Sequence, residues 1–248
     1  MLYLFCGLFG LLVGSFLNVC IYRLPNNQTV ITPPISSCCH MHLKLWELVP
    51  VISHLAFWGR CRYCKAFIPL RYPLVELMTG LLFYEGVVKV GLSVELVKVL
   101  VLTSFLIVIA CIDYDYRLIL DKVLVWLAGA GVVINLYIGQ LTILDMLWAA
   151  LLGGGILLIV ALISRGGLAG GDVKFLAVLG IWLGVKYTLL TLVLSLILGG
   201  LGAIVLLVLK IKGRKDYIPF GPYIAVASYF AMLYGNEILC WYWRHLYN

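Results

Sequence analysis

The sequence predicts an all-α polytopic membrane protein of about eight transmembrane helices, with a small cytoplasmic Cys/His loop domain after the first helix. Three observations carry that prediction. Of the 248 residues 64% are hydrophobic and only 12% charged, with a mean hydropathy of +1.09, whereas a soluble domain needs about a quarter of its residues charged. The apolar residues fall in runs close to the ~20 residues that cross a ~30 Å hydrocarbon layer as a helix. Lysine and arginine gather in alternate connections between those runs.

The first run, at 2–22, is long enough to cross, and no small-residue cleavage site follows it, so it reads as a retained anchor. Further spans are expected at 73–90, 94–112, 122–138, 143–163, 173–185, 187–209 and 218–240. Almost nothing joins 173–185 to 187–209, and the shortness of the first suggests a tilted or incomplete crossing. The chain thus divides into an N-terminal membrane helix (1–25), a cytoplasmic segment (26–72) and a polytopic membrane domain (73–248). With the connection after the first span inside, fourteen of the 18 Lys and Arg residues lie at the cytoplasmic face, leaving Lys89, Lys98, Lys186 and Arg244 outside. Both termini are then outside, and the segments 113–121 and 164–172 are both cytoplasmic. The net charge of +7 follows from this topology and from anionic inner-leaflet lipid, and gives no licence for nucleic-acid binding. No internal repeat of the kind many transporters carry is visible.

Taken in order, the first span ends in Gly14-Ser15-Phe16-Leu17-Asn18, small residues and an amide that point to close helix packing and an interhelical hydrogen bond; Pro25 then stops it. The polar segment that follows holds Cys38, Cys39, His40, His42, His54, Cys61 and Cys64. Cys39 with His42 and Cys61 with Cys64 form two closely spaced pairs that suit a tetrahedral, structural zinc, with Cys38 a substitute for Cys39 or His42. A reducing cytoplasm argues against two disulfides, and a loop without metal stays open. Cys6, Cys20, Cys111 and Cys240 lie in apolar runs and read as packing residues. Glu76 reads as a buried ion-pair acid for Arg71.

Two acids stand apart. Asp113 directly abuts the apolar run 96–112, where desolvation and the carbonyl end of its helix both favour the protonated form. Asp115 and Asp121 read as solvated, or paired with Arg117 or Lys122. Asp172 follows Gly170 and Gly171 and opens the next span, a natural N-cap whose charge the helix dipole favours. The glycines allow the turn to approach a neighbouring helix end. A phosphate loop is excluded, since Lys174 follows no glycine and has no Ser or Thr beside it. An acid that keeps its proton beside one that keeps its charge is what an aspartic protease dyad requires, with Asp113 as acid and Asp172 as base.

Six ordered blocks then resemble one family, the type IV prepilin peptidases of the bacterial inner membrane. They are Gly14–Val19 with Tyr22–Pro25, Gly59–Cys64, Arg71–Glu76, Asp113 with Asp121, Gly170–Lys174, and Ile218–Pro222. The resemblance implies that Asp113 and Asp172 are the catalytic aspartates, supported by Gly170, Gly171 and Lys174. It further implies prepilin or pseudopilin substrates cut after a glycine at the cytoplasmic face, and methylation of the new N-terminus from S-adenosylmethionine. The family associates that second activity with the N-terminal half. Three positions depart from its pattern: Ala169 replaces the first glycine of Gly-x-Gly-Asp, Leu120 replaces a proline, and Ser36 with Cys39 stands where zinc-bearing members have Cys-x-x-Cys. Two alternatives accompany this reading, the same scaffold with one activity only and a proton- or cation-coupled transporter. A transporter should hold its acids near mid-bilayer, not at helix ends. No residues for the methyl donor are legible.

Overall fold

The computed structural model describes residues 2–30, 60–61, 64–67, 69–163, 169–210, 213 and 218–246. These residues form seven helices: α1 (Leu2–Arg23), α2 (Arg71–Val90), α3 (Val94–Tyr116), α4 (Asp121–Ile138), α5 (Ile143–Ile163), α6 (Gly170–Val208) and α7 (Gly221–Leu246). All but α2 are long and apolar enough to cross a membrane. The exception carries Arg71, Glu76, Glu85 and Lys89 in its 20 residues. Large apolar side chains such as Phe5, Leu8, Trp126, Leu151 and Ile163 point outward, as expected where the solvent is lipid and every backbone polar group is satisfied within helices.

The chain forms two compact units, Met1–Val108 and Ile109–Asn248, with α3 running from one into the other. In the first unit α1 packs on α2. The approach is close: a Cβ on Gly14 would lie 2.7 Å from the Cα of Glu76. Asn18 donates from Nδ2 to the carbonyl of Tyr72 at 3.0 Å, which is the interhelical bond its position suggests. Asn18, Arg23, Glu76 and Thr79 are all buried here.

In the second unit α6 is the central element, packing on α4, α5 and α7. Its core includes Phe175, Leu176, Leu179 and Trp182, all fully buried. The 39 residues of α6 are not one rod. Gly184 breaks the helix with φ 70° and ψ 173°, a conformation essentially confined to glycine. A Cβ on Gly153 of α5 would touch both the carbonyl of Leu176 (3.3 Å) and Cγ2 of Thr188 (2.7 Å). Along a straight helix those two residues stand about 18 Å apart, so the chain reverses at Gly184 and the arms 170–183 and 185–208 run back along each other.

The break leaves carbonyls without helical partners, and side chains compensate. Asn135 of α4 donates to the carbonyl of Ile181 at 2.7 Å, and Thr188 donates to that of Gly184 at 2.7 Å. Trp182 donates from Nε1 to the carbonyl of Leu127 at 2.8 Å, fastening the first arm to α4. The expectation of two segments at 173–185 and 187–209 joined by almost nothing agrees with this break at Gly184; with both arms counted as one element, the described residues form seven helices instead of about eight.

Candidate active site

The site is built where three chain segments of the second unit meet. The first is the end of α3. Asp113 lies in its last turn, 2% exposed, and the N–H of Arg117, at φ 54°, closes the helix on the carbonyl of Asp113 at 2.9 Å. Residues 118–120 then form a short connection outside any helix, with Ile119 buried and Leu120 extended, and α4 begins at Asp121.

The second segment is the start of α6. Its N-cap is Ala169, with φ −82° and ψ 150°. Asp172 is therefore the third helical residue and not the N-cap that the sequence suggested. Its carboxylate reaches back, accepting the Ala169 N–H on Oδ2 at 3.0 Å, while the Asp172 N–H donates to the Ala169 carbonyl at 3.0 Å. This is half of a capping box; alanine has no side-chain oxygen for the other half. Asp172 is 1% exposed.

The two segments are joined beside the acids. A Cβ on Gly171 would lie 3.1 Å from Cβ of Ile119, so the glycine turn lies directly on the connection after Asp113. At the surface Lys174 bridges both oxygens of Asp121, at 2.9 and 3.0 Å. Sequence reasoning offered Arg117 or Lys122 as ion-pair partners for Asp121; the fold supplies Lys174, 53 residues away. Gly170, the other glycine of the turn, is exposed and opens α6.

The third segment is the start of α7, where the Gly221 N–H donates to Oδ2 of Asp113 at 2.9 Å in a buried bond. Asp113 and Asp172 thus both lie buried on segments that meet at the Gly171–Ile119 contact. Each has Oδ2 held by one backbone amide. For Oδ1 of either acid there is no hydrogen-bond donor among the described residues. Two buried acids with one open oxygen each are equipped to pass protons to and from a bound carbonyl and a water.

Comparison with known proteins follows this geometry. Residues 8–90 match the bacterial peptidase A24 N-terminal domain, and residues 100–204 match the type IV leader peptidase family. A prepilin leader peptidase/N-methyltransferase of Bacillus subtilis (strain 168) is 36% identical, the alignment covering 95% of both chains. Proteins of the same name from Pseudomonas putida and Pseudomonas aeruginosa are 35% and 34% identical. Those alignments cover 92% and 93% of this chain and 89% and 90% of the relatives. This chain belongs to the type IV leader peptidase family. No solved structure matches it.

As a member of that family the chain is a peptidase enzyme and a multi-pass bacterial membrane protein, and the resemblance read from its motifs stands. Two of its departures from the pattern are explained by the backbone. Ala169 replaces a glycine where φ is negative, so a methyl group is tolerated. Leu120 replaces a proline at φ −75°, within the range a proline ring imposes.

Of the expected metal ligands, Cys38, Cys39 and His42 lie outside the described residues. Cys61 is buried and Cys64 exposed. They flank a turn in which Lys65 N–H donates to the Cys61 carbonyl at 2.9 Å and Cys61 N–H to that of Ala66 at 2.8 Å. Such a turn suits one half of a thiolate site, but no group of three or more His, Cys, Asp or Glu that would hold a metal occurs among the described residues. Sequence reasoning missed the amides of Ala169 and Gly221. The block 218–222 was visible as a motif, but a backbone N–H is common to nearly every residue, and only its direction gives it a role.

Proposed function

We propose that this peptidase is an intramembrane aspartyl endopeptidase that removes the leader of type IV prepilins or pilin-like pseudopilins, cutting after a glycine at the cytoplasmic face. Asp113 and Asp172 form its dyad. The observation that supports this best is that two carboxyls are buried on adjoining segments, each held on Oδ2 by a backbone amide. Two acids so close in a dry site do not both ionise, and together they hold one proton. The charged carboxylate takes a proton from water as the water oxygen attacks the scissile carbonyl carbon. The protonated acid gives its proton to the carbonyl oxygen; the C–N bond then breaks as the proton taken from water passes to the amine, and one hydroxyl of the tetrahedral intermediate returns a proton to the first acid. At rest we assign the proton to Asp113 and the charge to Asp172. Lys174 and the glycines at 170 and 171 hold the two segments in register.

The second activity in the relatives' names, N-methyltransfer, is proposed here for the amine that cleavage exposes, with S-adenosylmethionine as methyl donor. The Cys61–Cys64 turn would supply two ligands to a structural zinc completed from Cys39 and His42, whose chemistry is that of a fold constraint. The cytoplasmic face of the membrane domain is set by the lysine and arginine distribution.

The test is mass spectrometry of a prepilin-like peptide, carrying its Gly-Phe junction and apolar helix, incubated with detergent-solubilised protein with and without S-adenosylmethionine. Wild-type protein cuts after the glycine and adds one methyl; Asp113→Asn and Asp172→Asn cut nothing. Wild-type cleavage by either variant sinks the dyad.

A further inference from the structure

Asp113 sits at the wrong end of its own helix. In the last turn of α3 the exposed carbonyls disfavour a carboxylate, and compensation comes from α7. Gly221 is the first residue of that 26-residue helix, so its N–H is one of four with no helical acceptor. It is directed at Oδ2 of Asp113 instead of at solvent.

The fit excludes a side chain at this point. A Cβ on Gly221 would lie 2.6 Å from Oδ2 and 3.0 Å from Cγ of Asp113. The turn is also braced from behind. The Phe220 carbonyl accepts from Tyr223 at 3.1 Å and from Ile224 at 3.2 Å. The edge of the Phe220 ring fills the space where a Cβ on Gly199 of α6 would lie, 2.7 Å away. Ile224 is fully buried. The amide is thus aimed by packing on α6 and has no freedom to follow Asp113 if the acid turns.

We propose that Gly221 is the positioning residue of the peptidase: its amide holds Oδ2 of Asp113, leaving Oδ1 as the oxygen that exchanges a proton with the substrate. This rests on the dyad reading, and the experiment separates the two. Asp113→Asn is assayed first, and if it cleaves at the wild-type rate the dyad reading fails independently of Gly221.

With that variant inactive, Gly221→Ala is expected to lower kcat about 100-fold, the cost typical of misplacing a reacting group by an ångström. KM stays within about twofold, and the pH–rate profile shifts by about half a unit or more, because the added methyl displaces the acid from its donor. Wild-type kcat, or a loss confined to KM with an unchanged pH profile, overturns the proposal.

Should Gly221→Ala fail to fold, the bond is read in protein labelled with 15N-glycine. The Gly221 amide resonance is expected to titrate in the wild type and not in Asp113→Asn. A resonance that titrates in neither, or alike in both, overturns the proposal.

Discussion

At the residue scale, some positions near the acids are set by backbone conformation more than by side-chain identity. Leu120 shows this. Its φ of −75° and an N–H that donates no hydrogen bond among the described residues make Leu120→Pro compatible with the fold. We expect it to be neutral or stabilising by about 0.4–1 kcal/mol through the unfolded state, with cleavage retained; a lowered thermal midpoint in detergent would contradict this. The Lys174–Asp121 pair is the opposite case, a well-formed bridge between side chains that are 58% and 67% exposed. Exposed pairs contribute roughly 0–1 kcal/mol, so Lys174→Ala, Asp121→Ala and the double variant should unfold within about 1 kcal/mol of wild type. On the proposed reading the pair acts through register. Each single variant is expected to cleave several-fold more slowly and the double variant no more slowly than the worse single, a cycle read from kcat.

At the element scale, α6 decides the architecture. Its first arm of 14 residues spans about 21 Å and its second of 24 about 36 Å. The reversal between them depends on Gly184, where a Cβ would also meet Oδ2 of Asp145 at 2.6 Å. Gly184→Ala is therefore expected to destabilise by about 1–3 kcal/mol, measured by unfolding in mixed detergent micelles. An unchanged midpoint would mean that the reversal does not need glycine. The first arm carries Asp172 at its start and is fastened to α4 by Trp182 and Asn135. Loosening the reversal should thus also slow cleavage, although Gly184 lies more than three turns from the acid.

At the scale of the whole molecule, the chain divides into two parts both by contact and by kinship, the contact boundary falling just inside the second matched family. The compact units meet at Val108–Ile109, and the matched families cover 8–90 and 100–204. Both acids of the dyad lie in the second unit. If the proposed methyl transfer belongs to the first, Asp113→Asn should still methylate a pre-cut peptide. Cys61→Ser with Cys64→Ser should lose methylation while cleaving within about twofold of wild type. Mass spectrometry of the two products checks both, and joint loss in either variant would argue for one shared site.

What the sequence determined by itself was the membrane class and most of the apolar helices, and it singled out two acids that the fold buries. Composition and run length follow directly from lipid solvation, and an acid at the edge of an apolar run is costly enough to stand out. The motifs also identified the family without geometry. Tertiary structure decided the rest. That the segment breaks was legible, because two apolar runs at 173–185 and 187–209 are joined by almost nothing; which residue turns the chain was not, because it depends on one φ angle at Gly184. The partner of Asp121 was not legible, because Lys174 is distant in sequence and adjacent only once the glycine turn lies on Ile119. Least legible were the amides of Ala169 and Gly221. Nearly every residue has one, and a helix start becomes a carboxylate holder only when packing aims it.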